Sequence, residues 1–255
     1  MQYTDNSCLF AVMSTAEFRE RKEEFAYQKE MLHSLGSIRY CKAELFKECI
    51  LGTIRLPQKN EQKKAQLSFG FYLTGRKVFF VEDEGKMKAW IEKQAEMFQE
   101  VDTPKQLLLR IMEHMIEEDT LYFSHMESEL DKLEEKISGG AGRDNSFFTS
   151  LTKHRQKLSE FNIYYEQLID IAELFSTCDF YQSEQDTQGW DRFMHRVEQL
   201  QNHVHLLREN VLQIRELYQS MQDARQNKIM AVITIVTTIF LPLTLITGWY
   251  GMNFV

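Results

Sequence analysis

Asn227, Met230, Thr234, Thr237, Leu241, Thr244, Gly248 and Gly251 recur at alternating steps of three and four residues along an otherwise apolar stretch. Steps of that size place them on one face of a helix. Two chemistries suit such a face. Threonine and glycine let helices approach closely in lipid and are common where spans pack. Alternatively, when several copies surround an axis, the hydroxyls and the amide line a watery path and touch hydrated ions. The pattern by itself leaves both readings open.

The element that must carry this face reads as a membrane span. From Ile229 to Trp249 no charged residue occurs, and a helix of that length, at about 1.5 Å per residue, reaches roughly the 30 Å of a hydrocarbon core. The remaining faces carry Ile233, Val236, Ile239, Phe240, Leu243 and Ile246, among others, which suit lipid or an apolar neighbour. A buried core helix is the plain alternative, but such helices rarely run so long without a charge. Pro242 removes the hydrogen bond to the carbonyl of Thr238 and crowds that turn, so a kink is expected, with threonine hydroxyls available to the freed carbonyl. Residues 248–253, Gly-Trp-Tyr-Gly-Met-Asn, combine interface aromatics with helix-ending glycines. Arg225 and Lys228 precede the span and no charge follows it, so the positive-inside rule predicts residues 1–228 in the cytoplasm.

The run Thr244-Leu-Ile-Thr-Gly-Trp-Tyr-Gly-Met-Asn-Phe254, with Leu241-Pro242-Leu243 and Asn227-Lys-Ile-Met230 before it, resembles the first transmembrane helix of the CorA family of magnesium transporters. A bare Gly-Met-Asn is a weak signal; the whole run in register at the end of a span is a specific one. The resemblance implies a homopentameric channel for hydrated divalent cations, chiefly Mg2+, with Co2+ and Ni2+ carried by relatives. It implies that Gly251, Met252 and Asn253 form the outer entrance, with Asn253 meeting the ion through its hydration shell. It also implies that Asn227 marks the cytoplasmic end of the pore and Met230 a hydrophobic constriction. Such a ring is chemically reasonable because Mg2+ gives up water reluctantly, and carbonyls and amides can hold its hydration shell intact. The family has a second transmembrane helix after Gly-Met-Asn, whereas this sequence ends at Val255. The expectation is therefore a subunit truncated before that helix. In the family, Mg2+ bound between cytoplasmic parts favours closure, and Asp223, Glu216 and Glu209 are candidate regulatory ligands here.

The N-terminal part must position that helix. Of 255 residues, 43% are hydrophobic and 27% charged, enough for a core-bearing domain plus an elongated part. The formal net charge of -8 argues against a nucleic-acid surface and suits a cation-handling protein. No secretory signal is expected, because Met1-Gln-Tyr-Thr-Asp5 lacks a basic region followed by an apolar run. Cys8, Cys41, Cys49 and Cys178 are scattered without metal-ligand spacing and read as reduced cytosolic thiols. His203 and His205 would point to different sides of a helix, no glycine-rich phosphate loop occurs, and no catalytic constellation emerges. The chain is expected not to be an enzyme and to hold no cofactor beyond Mg2+ as cargo and regulator.

Residues 1–100 predict a compact α/β cytoplasmic module. Strands are expected near 8–13, 38–44 and 49–56, and a hairpin at 66–73 and 77–81 around Thr74-Gly75. Leu67, Phe69, Phe71 and Leu73 alternate as one packed face. Ser14-Thr-Ala-Glu17 is a capping box, and 86–98 reads as a covering helix. Residues 101–188 predict a helical hairpin. Its first helix opens at Thr103-Pro-Lys-Gln106 and runs to about Ile137; its second spans about 146–177 after a glycine-rich stop. The acidic excess along the first helix, from Glu113 to Glu135, could gather cations, though a solvated face is the simpler reading.

A third helix, following a polar linker at 183–189, carries Phe193, Val197, Leu200, Val204, Leu207, Val211, Ile214, Tyr218 and Met221 in a heptad-like seam. It is expected to continue from about Trp190 to Gly248 as a stalk over 189–228, a span over 229–249 and an outer loop over 250–255. The seam could pair with other copies or pack within its own subunit. The leading expectation is a CorA-like divalent cation channel subunit gated by its cytoplasmic part. The competing one is a tail-anchored coiled-coil scaffold that oligomerises without conducting.

Overall fold

The computed structural model describes residues 9–36, 38–59, 67–94, 101–138, 145–178 and 184–251. A mixed five-stranded sheet comes first. Its strands are β1 Phe10–Met13, β2 Lys42–Leu45, β3 Ile50–Arg55, β4 Ser68–Leu73 and β5 Val78–Val81. Their spatial order is β1-β5-β4-β3-β2, with β2 to β5 an antiparallel meander and β1 added parallel to β5.

The alternation expected of 67–73 holds, but the second face is buried too. Phe69, Phe71 and Leu73 join Ile50, Ile54, Val78 and Phe80 in a core shared with the helices that follow. Tyr72, Leu51 and Val81 face the other way, against Phe18, Phe25 and Met31. Those residues belong to or flank two short helices, α1 Thr15–Glu20 and α2 Gln28–Leu35. The capping box starts α1 as expected, with the Glu17 amide donating to Ser14 Oγ at 3.2 Å and the Ser14 amide donating to Glu17 Oε2 at 2.8 Å. Between β3 and β4, Gly52 sits opposite Phe71. A Cβ there would lie 2.2 Å from the Phe71 ring and 2.5 Å from the Lys42 carbonyl oxygen. The missing side chain lets an aromatic ring lie on the sheet.

Four helices build the rest of the core with α3 Lys86–Lys93: α4 Pro104–Met115, α5 Asp119–Ser138, α6 Asn145–Thr177 and α7 Glu184–Gly251. The single helix expected from 103 to 137 is broken in two at 116–118. The amides of Glu117 and Asp119 turn back to the carbonyls of His114 and Ile116, three residues away. That turn lets α4 pack on β5 while α5 follows α7, and it buries the Asp119 carboxylate, a tertiary gain that periodicity does not report. α5 and α6 are antiparallel, as expected of the hairpin: Phe123 meets Phe161 at 5.0 Å and Glu129 approaches His154 at 3.7 Å. α6 lies far more extensively along α7 than along α5, so the unit is a three-helix bundle.

Residues 184–189, expected as linker, are already the first turns of α7, with Gly189 against Leu109. Trp190, wholly buried, stacks on Phe175 with centroids 4.3 Å apart. The seam from Phe193 to Ile214 is buried inside the same chain, with Tyr218 and Met221 half-buried at its end. From Asp223 onward every described residue of α7 is exposed.

Candidate pore helix and stalk

One unbroken helix of 68 residues, roughly 100 Å long, joins the core of the bundle to the apolar segment. Among the described residues α7 is the one helix long and apolar enough to cross a membrane, and its apolar window has no cover. Pro242 lies inside it without ending it.

The threonines of the polar stripe treat their hydroxyl protons alike. Thr234 donates to the Met230 carbonyl at 2.9 Å, Thr237 to Ile233 and Thr234 at 3.0 Å, and Thr244 to Phe240 at 2.6 Å. Thr238 and Thr247, beside the stripe, do the same to Thr234 and to Leu243. A hydroxyl returning four residues to the Thr238 carbonyl would have to come from position 242, which is the proline itself. The expectation that threonines repair the gap left by Pro242 therefore fails at that carbonyl. Asn227, Met230, Leu241, Gly248 and Gly251 are exposed on the same helix, and a Cβ at either glycine would meet nothing within 4 Å. Met252 and Asn253 lie outside the described residues.

Glu209, Glu216 and Asp223 are exposed and seven residues apart, and the same interval continues through Met230, Thr237, Thr244 and Gly251. A heptad step drifts only about 20° on a straight helix, so the three carboxylates and the polar stripe run along one slowly winding side of the rod. In a single chain they are strung out at intervals of about 10.5 Å. Among the described residues no group of three or more His, Cys, Asp or Glu side chains is gathered to hold a metal.

Two junctions were invisible in the sequence. The Asp119 carboxylate, fully buried, meets Lys59 Nζ at 2.5 Å and accepts the Tyr165 hydroxyl at 2.7 Å. Burial pushes its pKa up, opposed by Lys59, by the Tyr165 hydrogen bond and by Arg196. The same burial, with Asp119 alongside, pushes the Tyr165 phenol up. One carboxylate thus ties the connection after β3 to the start of α5, to α6 and to the neighbourhood of α7. Glu117-Glu118-Asp119 reads as a solvated acidic run, and no local signal marks its third member. The second junction is Lys105 at the start of α4, buried with its ammonium near Asp186 of α7; burial lowers its pKa and Asp186 opposes that.

An α/β sheet, a three-helix bundle and a single exposed apolar helix growing out of that bundle define a membrane-anchored stalk protein. The chain matches the family described as CorA-like Mg2+ transporter protein over residues 29–255, and it belongs to that family. It is 41% identical over 64 residues to the cobalt/magnesium transport protein CorA of Thermotoga maritima, covering 25% of this chain and 18% of that protein. With the cobalt/magnesium transport protein CorA of Methanocaldococcus jannaschii it shares 28% identity over 149 residues, 56% of this chain and 46% of that protein. These alignments span less than half the length of either relative. The complete structure of the CorA magnesium transporter from Methanocaldococcus jannaschii superposes with a TM-score of 0.81 at 20% identity, over all of this chain and 82% of that one. The fold expected from the sequence, an α/β module followed by long helices and a terminal apolar helix, is the fold found.

Proposed function

We propose that the chain is a channel-forming subunit that passes hydrated divalent cations, chiefly Mg2+, through a homopentameric pore lined by α7. The observation that carries this reading is the state of the threonine hydroxyls. Their protons are committed to their own helix, so what each offers outward is lone pairs. A hydrated cation presents only outward-pointing water hydrogens. A stripe of acceptors suits it and is poorly suited to an anion, and Mg2+ gives up that water shell reluctantly. The Thr238 carbonyl, deprived of its donor by Pro242, adds one more acceptor.

In this reading Gly251, Met252 and Asn253 form the outer ring, Met230 the constriction and Asn227 the cytoplasmic mouth, with residues 1–228 in the cytoplasm of a cell membrane. Glu209, Glu216 and Asp223 continue the stripe below the mouth and are the regulatory Mg2+ ligands between copies. Two relatives are named for cobalt and magnesium transport, which supports the ion class. The scaffold alternative is disfavoured by the burial of the seam from Phe193 to Ile214 within one chain, because a coiled coil needs that seam free.

The test is Mg2+ uptake into liposomes reconstituted with the chain, together with single cysteines at Thr234, Thr237 and Thr244. Uptake that is blocked by a membrane-impermeant thiol reagent at these positions supports a water-filled stripe. Assembly without uptake, and cysteines that the reagent never reaches, would leave an anchored stalk that conducts nothing.

A further inference from the structure

The bundle presents one exposed acidic helix face. Glu166, Asp170 and Glu173 lie exposed along α6 without a cation partner among the described residues, and Ile163, 51% exposed, sits in the same stripe. On α7 the exposed side at the same end of the bundle carries the cations Arg192 and Arg196 with His195 between them, followed by Leu206 at 64% exposure. The charge of Arg196 acts on Asp119 of its own chain, and His195 Nδ1 approaches Glu198 at 3.0 Å. Among the described residues Arg192 gives only its Nε proton, to the Gln188 carbonyl.

The register between the two helices is set at three points. Phe175 stacks on Trp190, Phe161 and His203 both meet Phe123, and Phe147 stacks on Tyr218. That antiparallel register puts Glu173 level with Arg192 and Asp170 level with His195. Ile163 falls level with Asn202, one turn or about 6 Å along the rod from Leu206. Rotation about an axis parallel to α7 keeps heights unchanged, so copies in a ring would meet at matching levels.

We propose that the outer face of α6 docks on the outer face of α7 in the next copy, Glu173 and Asp170 against Arg192 and His195, with Ile163 and Leu206 as its apolar centre. The contact is head-to-tail, since acid meets base only between different faces, and a head-to-tail contact that closes makes a ring. Exposed ion pairs contribute modestly to such a contact, but like charges at one level oppose the wrong pairing and fix the register. This inference rests on the ring assembly proposed above and names the surfaces that build it. Glu209, Glu216 and Asp223 lie farther along α7, beyond Leu206, and take no part in this contact.

The experiment measures the mass of the detergent-solubilised chain against its concentration. Glu173→Arg alone and Arg192→Glu alone each raise the concentration for half-assembly by about tenfold, and the two together in one chain restore it. Both residues are exposed, and unchanged helical circular dichroism identifies a folded variant. Independently, Ile163→Cys chains mixed with Leu206→Cys chains give a pair cross-linked by a short bis-maleimide, which spans the offset a disulfide would not, and neither variant gives it alone. A ring whose mass is unmoved by both reversals and shows no 163–206 link overturns this interface and leaves the channel reading standing. A chain that is monomeric under every condition overturns the ring and the interface together.

Discussion

Phe147 lies flat on Tyr218, ring centroids 4.9 Å apart and planes within 16° of parallel, and Phe148 closes edge-on to the same tyrosine at 4.7 Å. Among the described residues this clasp is the last aromatic contact α7 makes before it leaves the bundle. Ile229, at the start of the apolar segment, is only 11 positions beyond Tyr218, roughly 16 Å of helix. The N-terminal end of α6 is therefore held against α7 close to its apolar segment.

Tyr218→Ala removes both ring contacts from a half-buried position and is expected to cost about 1–2 kcal/mol. The loss should be local. Hydrogen exchange of 211–222 accelerates while 190–200, held by Trp190 and Phe175, is unchanged. Equal acceleration along the whole stalk would show that the clasp has no mechanical identity of its own.

Asp119 makes the stability of the bundle depend on pH in a direction opposite to that of an exposed, ion-paired aspartate. Its folded pKa lies above the ordinary aspartate value because burial outweighs Lys59, the Tyr165 hydroxyl and Arg196. Its contribution is thus fully present below the ordinary value, about 4, and is lost as pH rises through the raised one. Asp119→Asn keeps a group that can accept the Tyr165 hydroxyl and cannot ionise. The unfolding free energy of the native chain minus that of Asp119→Asn should fall with rising pH across this window, measured by urea titration at successive pH values. A difference that stays flat would mean that the buried carboxylate does not titrate there.

Gly52→Ala places a methyl group against the Phe71 ring and the Lys42 carbonyl oxygen. The ring can turn, but the carbonyl belongs to the β2 ladder and moves only with the strand. A cost of about 1–3 kcal/mol is expected from such overpacking, read as a lower thermal midpoint of the sheet and helix bundle. Mg2+ uptake per folded chain should be unaffected.

Thr237→Val keeps the shape of the stripe and removes its outward lone pairs. Losing one accepted hydrogen bond worth about 0.5–1.5 kcal/mol lowers Mg2+ uptake by about 2- to 10-fold. Thr237→Ser, which retains the hydroxyl, should carry near-native flux. If valine and serine behave identically, the hydroxyl does not face the ion.

The amino-acid sequence alone determined the local elements and their polarity. The capping box at Ser14, the proline at the start of α4, the period-two face of Phe69 and Phe71 and the uncharged run after Lys228 are each written in neighbouring residues, because capping, alternation and hydropathy act over a few positions. The family resemblance was legible for the same reason, since its motif is contiguous. Tertiary structure decided what those elements do to one another. It broke the helix at 116–118 to seat Asp119 between Lys59 and Tyr165, and it turned the seam from Phe193 to Ile214 inward. Residues 59, 119 and 165 meet only because a sheet, a turn and a helix converge. A buried charge is stabilised by partners distant in the chain, and no periodicity records which partners those are.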